Sequence, residues 1–230
     1  MRVWTPAVLL LVACPKIVCD NRAMQLTDGV YKVDGVGVAN VFLVASDDCL
    51  LLVDTGMPGN ARRIAAFMES LGNKAGDLRY IVLTHCDIDH IGSAAAVKEL
   101  TGARVAIHGL DAPVLSGEQR PQKGGLLMVV MNRLLRLRHV APDLLLEDGD
   151  TIGGLKVMHV PGHTEGSLVL SREGGVVFSG DALLGNKHGQ VRWPDPRLAR
   201  DPAQARASAE RIKALPIKLL CPGHGAPVRM

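Results

Sequence analysis

A chain of 230 residues that is 47% hydrophobic has material for one substantial core, and a near balance of 26 Lys and Arg against 23 Asp and Glu, without a long basic run, argues against a nucleic-acid-binding face. Aromatic residues make up only 3%, while 25 glycines and 13 prolines suit many short strands and shaped loops better than a helix bundle. The five cysteines, Cys14, Cys19, Cys49, Cys86 and Cys221, contain no Cys-x-x-Cys pair, so neither a disulfide framework nor a cysteine zinc knuckle is expected.

Residues 1–23 read as a leader or extension, and residues 24–230 as a single domain. Arg2, the apolar run Ala7 to Ala13 and then Cys14 resemble a bacterial lipoprotein leader, with Leu11-Val12-Ala13-Cys14 in the lipobox position. Against this stand the single charge and Pro15 directly after the cysteine. The alternating pattern that begins at Met24 offers a second start for the folded chain. The cytoplasm is the expected location, with an exported lipoprotein anchored at Cys14 as the alternative. The apolar run is too short to span a bilayer, so no integral membrane segment is expected.

In chain order, Val30 to Val33, Val41 to Val44 and Leu50 to Val53 read as strands, the last ending at Asp54-Thr55-Gly56. Asn60 to Leu71 has helical periodicity, with Asn60 as the N-cap candidate and Gly72 beyond its end. A strand from Tyr80 follows, then a helix over Ser93 to Leu100 and a buried strand over Val105 to His108. Leu126 to Val140 carries leucines opposite Arg133, Arg136 and Arg138, the pattern of an amphipathic helix that either packs on the core or covers a pocket as a flap. Strands return from Leu144, at Thr151-Ile152, Leu155 to Val160, Ser167 to Ser171 and Val176 to Ser179. Asp201-Pro202 then opens a helix to Leu215, and Lys218 to Cys221 forms a last strand. Two strand-rich halves, each with helices, describe an α/β or α+β domain.

The chemistry concentrates in Tyr80 to Gly92, where His85, Asp87, Asp89 and His90 follow the apolar run Tyr80 to Leu83. Read as a strand running into an extended loop, a period of two puts residues 85, 87 and 89 on one side, with residue 90 beside them as the chain turns. These four residues alone also suit an ordinary polar turn. Three further loops, however, repeat one arrangement, a ligand-type residue behind an apolar strand and next to glycine: His163 in Gly162-His163-Thr164, Asp181 in Gly180-Asp181 and His224 in Gly223-His224-Gly225. Four imidazoles and three carboxylates, with no thiolate needed, suit Zn²⁺ and also Mn²⁺ or Fe²⁺.

These motifs, together with Asp54-Thr55-Gly56, resemble those of the metallo-β-lactamase superfamily, a His-x-His-x-Asp-His motif followed by a separate His, a bridging Asp and a final His. The resemblance covers almost all of 24–228. It implies an α+β fold, the αββα sandwich, with two facing mixed β-sheets, helices outside and a metal site at one edge. It also implies two divalent metal ions, zinc first and Mn or Fe next. His85, Asp87 and His163 would hold one ion, Asp89, His90 and His224 the other, and Asp181 would bridge them. Asp89 and Asp181 are the implied catalytic residues, Asp89 orienting an attacking hydroxide shared between the ions. The implied activity is hydrolysis of an ester, thioester, lactone or amide bond in a small-molecule substrate, closer to glyoxalase II-like and lactonase-like members than to antibiotic-degrading lactamases. Two alternatives differ in class: a mononuclear iron oxygenase of the same fold acting on sulfur substrates, and a non-catalytic metal-binding protein.

The departure from the family pattern is Asp87, which stands where the second histidine is usual. With it, three carboxylates, two divalent ions and a hydroxide are net neutral, whereas a histidine would leave one positive charge. Weaker Lewis acidity at the first ion and a tilt toward oxygen-preferring metals are expected. Asp54 is expected to support a metal loop from behind. Cys86 should turn away from the site. His108, Asp111 and His188 are candidates for a pocket wall or for satisfied groups, His159 reads as structural, and His139 as solvated. Substrate choice is expected to reside in Gly109 to Glu147 and Gly185 to Pro196.

Overall fold

The structure, a computed structural model, describes residues 24–46, 49–121, 130 and 134–230. The leader, its Cys14 and residues 126–129 and 131–133 of the expected helix lie outside the described residues, and the expected helix does not extend over 137–140, which are irregular. The first sheet has seven strands in chain order: β1 Met24–Thr27, β2 Val30–Val33, β3 Val41–Ala45, β4 Leu50–Val53, β5 Leu78–Val82, β6 Arg104–His108 and β7 Leu144–Leu146. Its first four strands pair antiparallel, and β4 through β7 pair parallel. The second sheet has the order β15-β14-β11-β10-β9-β8, from β8 Thr151–Ile152, β9 Leu155–His159, β10 Leu168–Arg172, β11 Val176–Gly180, β14 Leu219–Pro222 and β15 Val228–Arg229. Only β11 and β14 pair parallel in it. A two-stranded ribbon, β12 Leu184–Gly185 and β13 Val191–Arg192, completes the strands.

Strand alternation explains the layers. In β3 and β4, Val41, Leu43, Leu50 and Leu52 face the outer helices, while Phe42, Val44, Leu51 and Val53 face the second sheet. Both faces are covered, so these strands are apolar at every position. Outside the first sheet lie α1 Ala61–Ser70, α3 Ala94–Thr101 and α4 Ala112–Ser116, with Ile64, Met68, Val97 and Leu115 in their core. Outside the second sheet lies α5 Pro202–Lys213, which buries Ala209 and Ile212 against Val169, Val177 and Leu220. The architecture is the expected α+β sandwich of two facing mixed sheets.

Several local expectations need refinement. Leu144–Leu146 begins the second run of strands in sequence but pairs parallel to β6, so it completes the first sheet. Asn60 precedes α1 without capping it; its side-chain amide donates to the Val36 and Met57 carbonyls and fastens the 34–40 loop instead. Asp201 does cap α5, accepting from the Gln204 amide. No helix among the described residues is long and apolar enough to cross a membrane.

The sheets interlock at Phe42 of β3 and Phe178 of β11, both buried, whose rings meet edge to face at 5.5 Å. Truncating a buried aromatic side chain costs the transfer energy of the ring and leaves a cavity behind. Phe178→Ala is therefore expected to lower unfolding stability by about 3–5 kcal/mol, measured by urea titration.

Candidate metal centre

Strand direction gathers the candidate ligands. β4, β5 and β6 run parallel in one sheet, and β9, β11 and β14 share one direction in the other. The residues just past the ends of these strands are Asp54, Thr84 to Asp87, Asp111, His163, Asp181 and His224. The two sheets are joined at this edge by backbone hydrogen bonds, Leu168 N–H to the Thr84 carbonyl at 2.8 Å and Asn40 N–H to the Gly223 carbonyl at 2.7 Å.

The 85–90 segment departs from an extended loop. The His90 and Ile91 amides both donate to the Asp87 carbonyl, so Ile88–Ile91 forms a short helix, α2. The turn brings Asp89 and His90 to the same point that His85 and Asp87 reach from the irregular stretch before it. Cys86 points into the core beneath the outer helices, as alternation requires.

The seven candidates converge. Ligand-type atoms of His85, Asp87 and His163 lie within 4.8 Å of one another, as do those of Asp89, His90 and His224, and of His85, His90 and Asp181. Asp181 is central: its carboxylate oxygens lie 3.4 Å from His90 Nε2, 3.5 Å from His163 Nε2 and 3.3 Å from His224 Nε2. His85, His90 and His163 are buried. The open side is formed by Asp87, Asp89 and His224, whose side chains are 26%, 22% and 23% exposed. Gly223 makes the crowding possible, since a Cβ at that position would lie 2.4 Å from Asp181 Oδ1 and 2.8 Å from the His90 ring.

The imidazoles are oriented from behind. Asp54, at φ +61 in the left-handed region, accepts from the Thr84 amide at 2.8 Å, from the Thr84 hydroxyl and from His90 Nδ1 at 2.8 Å. An aspartate tolerates that conformation better than most residues, and a strained residue with three donors at a cluster of polar groups is held there by its surroundings. His85 Nδ1 donates to the Thr84 hydroxyl at 3.0 Å, and His224 Nδ1 to the Val38 carbonyl at 3.2 Å. Each of these rings consequently presents Nε2 to the centre, the arrangement of metal-binding histidines held by outer partners.

The electrostatics ask for positive charge. Burial disfavours a charged His90, but Asp54 and Asp181 outweigh it and hold its pKa well above the ordinary value. Burial likewise opposes protonation of His224, yet hydrogen bonds to Asp181 and Asp89 push it up to about 10. Asp181 is held well below the usual carboxylate range despite its burial, through His90 and His224, and Asp89 is lowered, again against burial, by His224 and His90. His85 Nε2, His90 Nε2 and Asp181 Oδ1 are nonetheless buried without a hydrogen-bond partner. Unpaired buried polar atoms are costly, and three aimed at one point fit divalent metal ions.

Two supporting residues carry little signal in the sequence. Asn40 donates its side-chain amide to the Pro222 and Gly225 carbonyls, both at 2.8 Å, shaping the His224 loop from the opposite sheet. Asp111 is wholly buried and accepts from both the Cys86 and Gly166 amides, so it supports loops and does not line an open pocket. His108 stacks on His159 at 4.1 Å between the sheets. His188 and His139 are exposed.

The family model described as metallo-beta-lactamase superfamily matches residues 34–224. A probable metallo-hydrolase of Bacillus subtilis, YflN, is 26% identical over 90% of this chain and 88% of its own length. A hydroxyacylglutathione hydrolase of Pseudomonas aeruginosa is 32% identical over 69% of this chain, which spans 51% of that enzyme. Among solved structures, BJP-1, a subclass B3 metallo-β-lactamase of Bradyrhizobium japonicum, is 28% identical with a TM-score of 0.67, covering 91% of this chain and 80% of its own. TTHA1623 in a di-iron-bound form is 30% identical with a TM-score of 0.64, covering 83% and 89%.

Asp54→Asn preserves tolerance of the left-handed conformation but sets an amide N–H₂ against one of the three donors. Its affinity for Zn²⁺ is expected to fall about 10- to 100-fold, the usual effect of losing an outer partner of a ligand, measured by competition with a chromophoric chelator.

Proposed function

Because the chain belongs to the metallo-β-lactamase superfamily and is a metallo-hydrolase, we propose that it cleaves a small acyl substrate, a thioester, ester or lactone before an amide, with two divalent ions held by seven residues. His85, Asp87 and His163 hold one ion, Asp89, His90 and His224 the second, and Asp181 lies between them. The observation that carries this reading is the buried, unpartnered trio of His85 Nε2, His90 Nε2 and Asp181 Oδ1 at the meeting point of both ligand groups. Ions held there supply a water whose pKa is lowered toward neutrality and a Lewis acid for the scissile carbonyl oxygen.

The protein's own groups supply the rest. Asp89, kept below the ordinary carboxylate range and held by His224 Nε2 at 3.2 Å, is an acceptor on the open side that orients the proton of the attacking water. Asp54 and Thr84 hold the His90 and His85 rings so that no reorganisation is needed as charge develops. Thioesters come first because hydroxyacylglutathione hydrolases, whose named substrate is a thioester, are 32% identical over 69% of this chain. Zinc is the first expectation, and the di-iron form of TTHA1623 supports iron as a second.

Metal quantitation on the purified protein, coupled to a panel of thioester, lactone, β-lactam and phosphodiester substrates, tests the proposal. Two ions per chain and turnover of an acyl substrate are expected. Asp181→Ala removes the carboxylate between the two ligand groups and is expected to reduce metal content, and turnover with it, by at least the roughly 100-fold that losing even an outer partner of a metal ligand can cost. Tight metal with no turnover on any substrate would instead mark a binding protein, and one iron with oxygen uptake an oxygenase.

Asp87 bears on which ion is held. A carboxylate in place of an imidazole lowers the net charge of the site by one and hardens the donor set. In competition between equimolar Zn²⁺ and Mn²⁺, Asp87→His is expected to shift occupancy toward Zn²⁺, read by elemental analysis. Unchanged occupancy would remove residue 87 as a determinant of metal choice.

A further inference from the structure

The ion assigned to His85, Asp87 and His163 draws its ligands from two sheets. His85 and Asp87 follow β5, whereas His163 follows β9, 76 residues away from Asp87 in sequence. One buried side chain touches both loops. Asp111 Oδ2 accepts from the amide of Cys86, the residue between His85 and Asp87, at 3.0 Å, and from the hydroxyl of Thr164, the neighbour of His163, at 2.7 Å. Its Oδ1 accepts from the Gly166 amide at 2.9 Å. Thr164 is itself fastened within its loop, its amide donating to the Ser167 hydroxyl at 2.9 Å. Asp111 and Thr164 are both wholly buried.

We propose that Asp111 is a positioning residue that clamps the β5 and β9 loops together and so sets the spacing of His85 and Asp87 from His163. The inference rests on the two-ion reading above. The loop facing it is shaped for the contact: a Cβ at Gly166 would lie 2.7 Å from Asp111 Cγ and 2.8 Å from Oδ1. Asp54 does the corresponding work for the other ion, through His90. The two carboxyl groups thus divide the site. Asp54 orients an imidazole directly, whereas Asp111 holds the Cys86 and Gly166 amides and the Thr164 hydroxyl, groups that flank the ligands in both loops. Asparagine cannot replace it, since its amide N–H₂ would face either the Gly166 amide or the Cys86 amide.

The test is titration of the chelator-treated protein with Co²⁺, followed by visible absorption, for wild type, Asp111→Asn, Thr164→Val, His163→Ala and His224→Ala. Wild type is expected to bind two ions. Asp111→Asn should keep one and bind the other about 10- to 100-fold more weakly, with a spectrum matching His163→Ala and not His224→Ala. Thr164→Val, which removes one of the three donors and leaves the carboxyl group in place, guards against simple misfolding and should show a smaller loss at the same ion. Equal weakening of both ions in these two variants, or weakening of neither, would overturn the clamp. A wild type that holds one ion would sink the two-ion reading alone; the clamp would then fall if Asp111→Asn left that ion's affinity unchanged.

Discussion

Mutual repulsion among Asp87, Asp89 and Asp181 is the constraint to which the rest of the site answers. Three carboxylates within one cluster, with Asp181 largely withdrawn from water, are unstable unless positive charge sits among them. The protein meets this with imidazoles turned so that one nitrogen is engaged from behind and the other faces the carboxylates. The fold then has to hold seven side chains at a spacing that each would relax if free. Backbone bonds across the sandwich edge, the left-handed Asp54 and the buried Asp111 are the means by which it does so.

The fold serves this end through strand direction. The sheets are mixed, but the strands that deliver ligands from one sheet are parallel to one another, and the same is true of the other. Residues past their ends reach a common edge while the bodies of β4, β11 and β14 are buried on both faces. Rigidity and chemistry are kept in different parts of the chain. The interlocked layer around Phe42 and Phe178 fixes the sheets, and short glycine-containing loops carry the polar groups.

Much of this was legible in the residues. Strands β2, β3, β4, β9 and β11 announce themselves through apolar or alternating runs bounded by turn residues, and all seven convergent side chains stand in short polar segments behind such runs. What was not legible depends on neighbours distant in sequence. The helical turn over Ile88–Ile91 arises because Asp87 offers its carbonyl to two successive amides, in a stretch too short for periodicity to report. Asn60 looks like a cap, yet the 34–40 loop offers its amide better acceptors. Asn40 and Asp111 are single polar residues whose partners lie across the sandwich, so no local pattern sets them apart.

Asn40 has a consequence in time as well as in space. It joins the loop after β2 to residues 222 to 225, more than 180 positions later. Contacts of that separation form late, because the entropy of closing a long segment must be met before they contribute anything. During synthesis His85, Asp87 and His163 are made well before His224. The cluster is therefore completed at its open rim, where His224 joins the residues delivered earlier in the chain.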